Sequence, residues 1–153
     1  MRRLAEVLMR GSVIIGNVSL AGAACLDVRQ PDPLSFTGTL SYQVFPGPPN
    51  YENIKTGDKP ERAYILKLDR PICATGDEFL DGKEMFDRVQ LLADDASSAG
   101  RAALQSLKAF DGTRVVVSGK SGFGAQTGHH HAPLLMTLVS IKADAANPGA
   151  DKP

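Results

Sequence analysis

The stretch Ser35-Phe-Thr-Gly-Thr-Leu-Ser-Tyr-Gln-Val44 decides the fold of this chain. Apolar residues and one glycine alternate with polar residues through all ten positions. A repeat of two residues is the side-chain period of a β-strand that buries one face. Gly38 lies within the run, where a glycine allows a long strand to bend. The stretch therefore predicts a long first strand that is buried on one face.

The same alternation returns in residues 63–71. Tyr64, Leu66 and Leu68 occupy one face there, and the other face carries Ile65, Lys67 and Asp69. We predict a second strand in which the first set is buried and the second set faces solvent. Shorter apolar runs at 89–93, 115–119 and 134–141 predict the third, fourth and fifth strands.

One helix is predicted between the third and fourth strands. Its apolar residues recur at helical spacing and are Ala99, Ala103, Leu104, Leu107 and Phe110. We expect Asp94 or Asp95 to cap its start, and Asp111-Gly112 to end it.

This order of elements, β-β-β-α-β-β, predicts the fold class. It is the order of the OB (oligonucleotide/oligosaccharide-binding) barrel, a five-stranded Greek-key sheet. A ferredoxin-like fold is excluded, because no helical pattern lies between the first two strands. We therefore predict a mainly β protein, a small OB-like barrel with one helix between strands three and four.

Composition and charge narrow the class of protein further. The 153 residues suit one domain, and the apolar and charged fractions of 42% and 22% are those of a folded chain. The formal net charge is zero. Nucleic acid is a poor candidate partner, because phosphate binding needs a concentrated positive surface.

Residues 1–24 have the pattern of a secretory signal peptide. Arg2, Arg3 and Arg10 make the start basic, and a run of apolar and small residues leads to Ala24. The run is too short to span a bilayer. We expect cleavage near Ala24, a periplasmic or secreted location and no membrane span. Cleavage would remove Glu6 and the three arginines, so the mature chain would keep 14 basic and 16 acidic residues.

Cys25 and Cys73 are the two cysteines of the chain. Cys25 would lie at the mature N-terminus, where lipidation is one alternative. Lipoprotein processing prefers leucine three residues earlier, and Gly22 stands there. A Cys25–Cys73 disulfide is the favoured alternative, because an exported protein meets an oxidising compartment. We predict one domain over residues 25–142 and a disordered tail over 143–153.

Two segments between predicted strands are unusual. The proline-rich segment, residues 45–61, contains four prolines and two glycines and also carries Asn50, Tyr51 and Glu52. The histidine segment, residues 119–133, carries Thr127 before three adjacent histidines, His129, His130 and His131. In an OB barrel these two connections border the ligand-binding face. We therefore predict that the two segments together form one surface, here called the rim.

The three histidines raise the alternative of a metal site, with Zn²⁺ or Cu²⁺ as candidate ions. In an extended chain His129 and His131 can share a face while His130 points away. Two ligands do not make a zinc site. The carboxylates that could complete one are Glu52, Asp58 and Glu61. Other roles for the histidines are hydrogen bonds within the loop and contact with a partner.

Catalysis has little support in the sequence. Serines and Thr127 lie near the histidines, but the chain has no Gly-x-Ser-x-Gly elbow. The cysteines are assigned to each other rather than to nucleophilic work. We therefore predict that the protein is not an enzyme.

Three motifs resemble those of a bacterial exported family of domains of unknown function. They are Phe45-Pro-Gly-Pro-Pro-Asn-Tyr-Glu-Asn-Ile54, Leu68-Asp-Arg-Pro-Ile-Cys73, and Ser118-Gly119 followed by Thr127-Gly-His-His-His-Ala-Pro-Leu-Leu135. The resemblance covers roughly residues 25–142. It implies an exported location and a cysteine pair joining the mature start to the second strand, and it implies no activity.

The functional hypothesis is a non-catalytic binding module of the cell envelope. Its ligand would be a protein, a peptide or a glycan, and its contacts would be Asn50, Tyr51, Glu52 and Thr127 in the rim. The alternative is a Zn²⁺- or Cu²⁺-binding protein that uses His129, His130 and His131. We expect a monomer.

Overall fold

The computed structural model describes residues 24–31 and 33–145. Except for Ala24, the predicted signal peptide lies outside these residues, as do residues 146–153 of the predicted tail. The elements, in chain order, are strands β1 Leu26–Asp27 and β2 Leu34–Pro46, a 3₁₀ helix Ile54–Thr56, strands β3 Pro60–Ile72, β4 Ala74–Thr75 and β5 Phe86–Leu92, helix α1 Ser98–Ala109, and strands β6 Arg114–Gly124 and β7 Leu134–Ala143.

Five of the strands close into a barrel in the order β2-β3-β5-β7-β6. Neighbouring strands are antiparallel except β5 and β7, which run parallel with Val89 opposite Leu134. Helix α1 connects the third barrel strand to the fourth. The predicted OB-like barrel with one helix in this place is confirmed. Two further short strands, β1 and β4, pair in parallel and were not predicted from the sequence.

Strand β2 pairs with two different strands along its length. It pairs with β6 from Leu34 to Thr39 and with β3 from Gly38 to Pro46. Gly38 lies where the two pairings overlap, and a Cβ atom there would stand 2.1 Å from the carbonyl oxygen of Lys67. A side chain at this position would collide with β3, so glycine permits the close approach that curves the strand into a barrel.

The barrel interior is filled by apolar side chains from each of its five strands and from α1. The most deeply buried of them are Leu40, Leu66, Val89, Leu107, Val115, Val117, Leu134 and Met136. Leu107 belongs to α1, so the helix contributes its apolar face to the same core. The buried face of β3 includes Tyr64, Leu66 and Leu68, as the alternation predicted.

The opposite face of β3 differs from its prediction. Ile65 is completely buried and forms a second cluster with Ala63, Ala132 and part of Phe45. The physical reason is that the histidine segment lies over this face and excludes water from it. On β2, Tyr42 and Val44 were predicted to be buried but are 45% and 51% exposed. They lie beyond Thr39, where pairing with β6 has ended.

Several boundaries also differ. Strand β6 extends to Gly124, so the connection to β7 is residues 125–133 rather than the whole histidine segment. Helix α1 is capped by Ser97, whose Oγ accepts from the N–H of Gly100 at 3.0 Å, and not by Asp94 or Asp95. Strand β7 includes Ala143, the first residue of the predicted tail.

The predicted disulfide between Cys25 and Cys73 is present. It closes a loop of 48 residues in sequence separation. The N–H of Leu26 donates to the carbonyl of Cys73 at 2.9 Å, so the bond fixes the start of the domain to the end of β3. In the chain-entropy model a loop of this length stabilises the folded state by about 4 kcal/mol.

We expect reduction of this disulfide, or the double substitution Cys25→Ala/Cys73→Ala, to lower the free energy of unfolding by about 4 kcal/mol, because the open unfolded chain has more conformational freedom. Urea denaturation of the oxidised and reduced protein measures the difference. A difference below about 1 kcal/mol would show that the bond contributes little to stability.

Candidate functional site

The proline-rich segment is organised around the carboxylate of Asp58, which is only 4% exposed. The carboxylate accepts from the backbone N–H groups of Asn50 at 2.8 Å, Glu52 at 2.7 Å and Asn53 at 2.8 Å. Asn53 in turn caps the 3₁₀ helix through its side chain. One buried carboxylate therefore replaces the backbone partners that an irregular loop lacks.

These donors also explain the electrostatics of Asp58. Its hydrogen bond from the N–H of Asn53, followed by those from Asn50 and Glu52, holds the pKa of the carboxyl below its usual value, although burial acts in the opposite direction. The charged form is the one that accepts all three bonds. The conformation of this loop therefore depends on an ionised Asp58.

The histidine segment begins its final turn at Thr127. Its Oγ1 accepts from the N–H of His129 at 3.3 Å, and its carbonyl accepts from the N–H of His130 at 3.1 Å. The buried side chain of Gln90 on β5 holds the next residues. Gln90 accepts from the N–H of His131 at 2.6 Å and donates to the carbonyl of His129 at 3.3 Å. The histidine backbone is thus fixed to the barrel wall.

His129 connects the two segments. Its Nδ1 lies 2.8 Å from a carboxylate oxygen of Glu61, at the start of β3, and its Nε2 lies 2.9 Å from the Oη of Tyr51. A carboxylate can only accept, so Nδ1 carries the proton. In the neutral ring Nε2 then accepts from the phenolic O–H. Tyr51, His129 and Glu61 form a continuous hydroxyl–imidazole–carboxylate chain.

Tyr51 is held in an unusual conformation. Its φ is 60°, in the left-handed region that a bulky residue rarely adopts. Its ring meets His129 edge-on, with centroids 5.2 Å apart. A Cβ atom on Gly128 would stand 2.7 Å from the same ring. Glycine at position 128 therefore provides the space in which Tyr51 reaches the imidazole.

His131 occupies a different environment. Its ring stacks on Phe45 with centroids 4.1 Å apart and planes 2° from parallel. Its side chain is 7% exposed, and its Nε2 is 3.6 Å from Glu61 and finds no hydrogen-bond partner among the residues that the structure describes. Its stack on Phe45, which itself packs against the buried cluster of Ile65 and Ala132, gives this histidine a packing role.

His130 turns away from the other two. Its Nδ1 accepts from the N–H of Gln126 at 2.8 Å, and its ring meets Phe123 edge-on. Within residues 24–31 and 33–145, no group of three or more His, Cys, Asp or Glu side chains could hold a metal ion. The Zn²⁺ or Cu²⁺ site stays a prediction, and the three histidines do not converge as one ligand set.

The rim thus brings together some of the predicted residues and adds others. Tyr51 meets His129 directly, whereas Asn50, Glu52 and Thr127 take part through their backbone or in turns. Gln90 and Gly128 belong to the rim as well, although the sequence did not predict a role for either. Gln90 is a polar residue in an apolar run, which is typical of a strand residue that faces solvent. No local sequence pattern therefore predicts that it binds the backbone of the histidine segment.

Comparisons with known proteins bear on the second half of the chain. Residues 88–142 match the model of a domain of unknown function, DUF4431. The match spans most of β5 and includes α1, β6 and the histidine segment. This supports the resemblance to an uncharacterised family. No curated protein and no solved structure matches the chain. No helix in the described part of the chain is long and apolar enough to cross a membrane.

We expect Asp58→Asn to loosen the proline-rich segment, because one acceptor oxygen is replaced by an amide that cannot accept. Amide hydrogen exchange at Asn50, Glu52 and Asn53 should become faster, while the exposed control Asp95→Asn leaves it unchanged.

In the native protein the protection of these three amides from exchange should depend on pH. The depressed pKa makes the stabilisation complete above the unfolded value of about 3.9, and it is lost as the pH falls through the folded value. Exchange that is independent of this carboxyl would contradict its role.

Proposed function

We propose that the chain is an exported, non-catalytic binding module whose rim contacts a protein, a peptide or a glycan. Export rests on the signal-peptide pattern of residues 1–24. The non-catalytic part of the proposal rests on the sequence, which has no Gly-x-Ser-x-Gly elbow. The contacts within the rim support the binding part of the proposal.

The observation that carries the proposal is the link between Tyr51, His129 and Glu61. It joins two connections from different parts of the chain into a single surface. Asp58 and Gln90 fix the backbone on either side of that link. A surface already held in one conformation loses little entropy on binding, and preorganisation of this kind raises affinity.

The chemistry of the rim indicates the class of ligand. The His129 side chain is 55% exposed, and the phenol of Tyr51 offers an amphipathic ring of the kind enriched at binding surfaces. Glu52 and Lys55 are both exposed, so neither sign of charge dominates. A polar ligand without strong net charge, a peptide or a glycan chain, suits this surface better than a polyanion.

A glycan array and a phage-displayed peptide library are the probes that test this. We expect ligands enriched by the native protein to bind Tyr51→Ala with a Kd roughly thirtyfold weaker, because a central tyrosine contributes about 2 kcal/mol. The matched control is Val139→Ala, which removes an exposed apolar side chain on β7, outside the rim. Ligands that bind both variants and the native protein equally would refute the rim as the binding surface.

Calorimetric titration of Zn²⁺ and Cu²⁺ into the protein distinguishes the alternative, a metal-binding protein, from the binding module. Because both ring nitrogens of His129 and Nδ1 of His130 already face protein partners, we expect weak heats that a His129/His130/His131→Ala variant leaves unchanged. Tight one-to-one binding that is lost in this variant would replace the binding-module proposal with a metal-binding function.

A further inference from the structure

Tyr51, His129 and Glu61 have the connectivity of an activated nucleophile. The phenolic Oη is 2.9 Å from Nε2 of His129, and Nδ1 of the same ring is 2.8 Å from Glu61. A hydroxyl, a base within hydrogen-bond reach and a third group that orients the base are the parts of such a relay. Three separate elements supply them: the β2–β3 connection, the connection between β6 and β7, and the start of β3.

The backbone of Tyr51 is a second, independent observation. A bulky residue at φ 60° costs conformational energy, and residues of this kind cluster at functional sites. Asp58 holds the amides on both sides of Tyr51, at Asn50 and Glu52. The loop therefore maintains the strained conformation that directs the phenol toward the imidazole.

The chain contains an internal comparison for Tyr51. Tyr42 is the more exposed of the two, at 45%, whereas Tyr51 is half-buried. Its ring stacks on Tyr64 with centroids 4.6 Å apart, and its backbone N–H donates to Asp111. Exposure alone would therefore favour reaction at Tyr42, and the feature that favours Tyr51 is the imidazole in contact with its phenol.

We propose that Tyr51 is a nucleophile that accepts an acyl group from an activated ester. The phenolic Oη forms a bond to the ester carbonyl carbon while its proton passes to Nε2 of His129. The ester C–O bond breaks, and the leaving oxygen takes the proton from His129. The products are O-acyl-Tyr51 and an alcohol, with no change in oxidation state. Glu61 acts as a positioning residue, because it contacts the imidazole and not the acyl group.

Acylation of Tyr51 takes place once per chain and without turnover, so it goes beyond the proposed binding function, agrees with a non-catalytic module and does not depend on ligand binding by the rim. The acyl part of an activated ester would become covalently attached to the rim, and the alcohol part would leave. General-base assistance of this kind contributes roughly 10²–10⁴-fold to the rate of such a step.

The test treats the full chain with p-nitrophenyl acetate and follows acetylation of each tyrosine by peptide mass spectrometry. In the native protein we expect Tyr51 to react about a hundredfold faster than Tyr42, in line with general-base assistance. Equal rates at the two tyrosines would overturn the proposal, and this comparison needs no variant.

Two substitutions identify the base. His129→Gln keeps a hydrogen-bonding side chain without a base and should reduce acetylation of Tyr51 to the rate of Tyr42. Glu61→Gln, which keeps the size of the side chain, should give a smaller reduction. The rate at Tyr42 should be the same in every variant, which controls for the fold. Unchanged acetylation of Tyr51 in a folded His129→Gln variant would overturn the relay.

Discussion

The parallel pairing of β5 with β7 is the constraint on which the rest of the structure depends. Parallel neighbours cannot be joined by a tight turn, so the chain between them must travel a long way. Here that path contains α1, β6 and the connection of residues 125–133, and it returns to place Leu134 opposite Val89. The histidine segment therefore arrives beside β5 and β3 because the barrel closes there.

The position of the histidine segment beside β5 and β3 explains the contacts within the rim. The outer face of β3 and β5 presents Ile65 and Gln90, which are paired neighbours in the sheet. Ala132 covers Ile65, and Gln90 binds the backbone of the histidine residues in both directions. With the backbone fixed, His129 comes within hydrogen-bond distance of Glu61. The polar chain to Tyr51 is thus a consequence of covering an apolar patch.

The same geometry shows which features were predictable from the sequence. Two-residue alternation reports one buried face of a strand, and it predicted the interior side of β2 and β3. It could not predict Ile65, because the cover on its outer face comes from a segment 66 to 67 residues away along the chain. It could not predict Gln90, whose partners are backbone atoms. The pairing of Tyr51 with His129 joins positions 78 residues apart. The order of the strands was enough to predict the rim, whereas the contacts within the rim depend on the three-dimensional fold.

In OB barrels the face of the second and third strands, here β3 and β5, is the usual ligand platform. In this protein the histidine segment covers the part of that face that carries Ile65 and Gln90, and both side chains are buried beneath it. A ligand approaching from this side meets His129 and Tyr51 before it meets the sheet. Under the proposed function, the recognition surface would therefore lie on two loops, which are held by a buried carboxylate and a buried amide, rather than on flat strand residues. Such a surface is small, polar and preorganised, so we expect it to suit a short segment of a ligand better than an extended polymer.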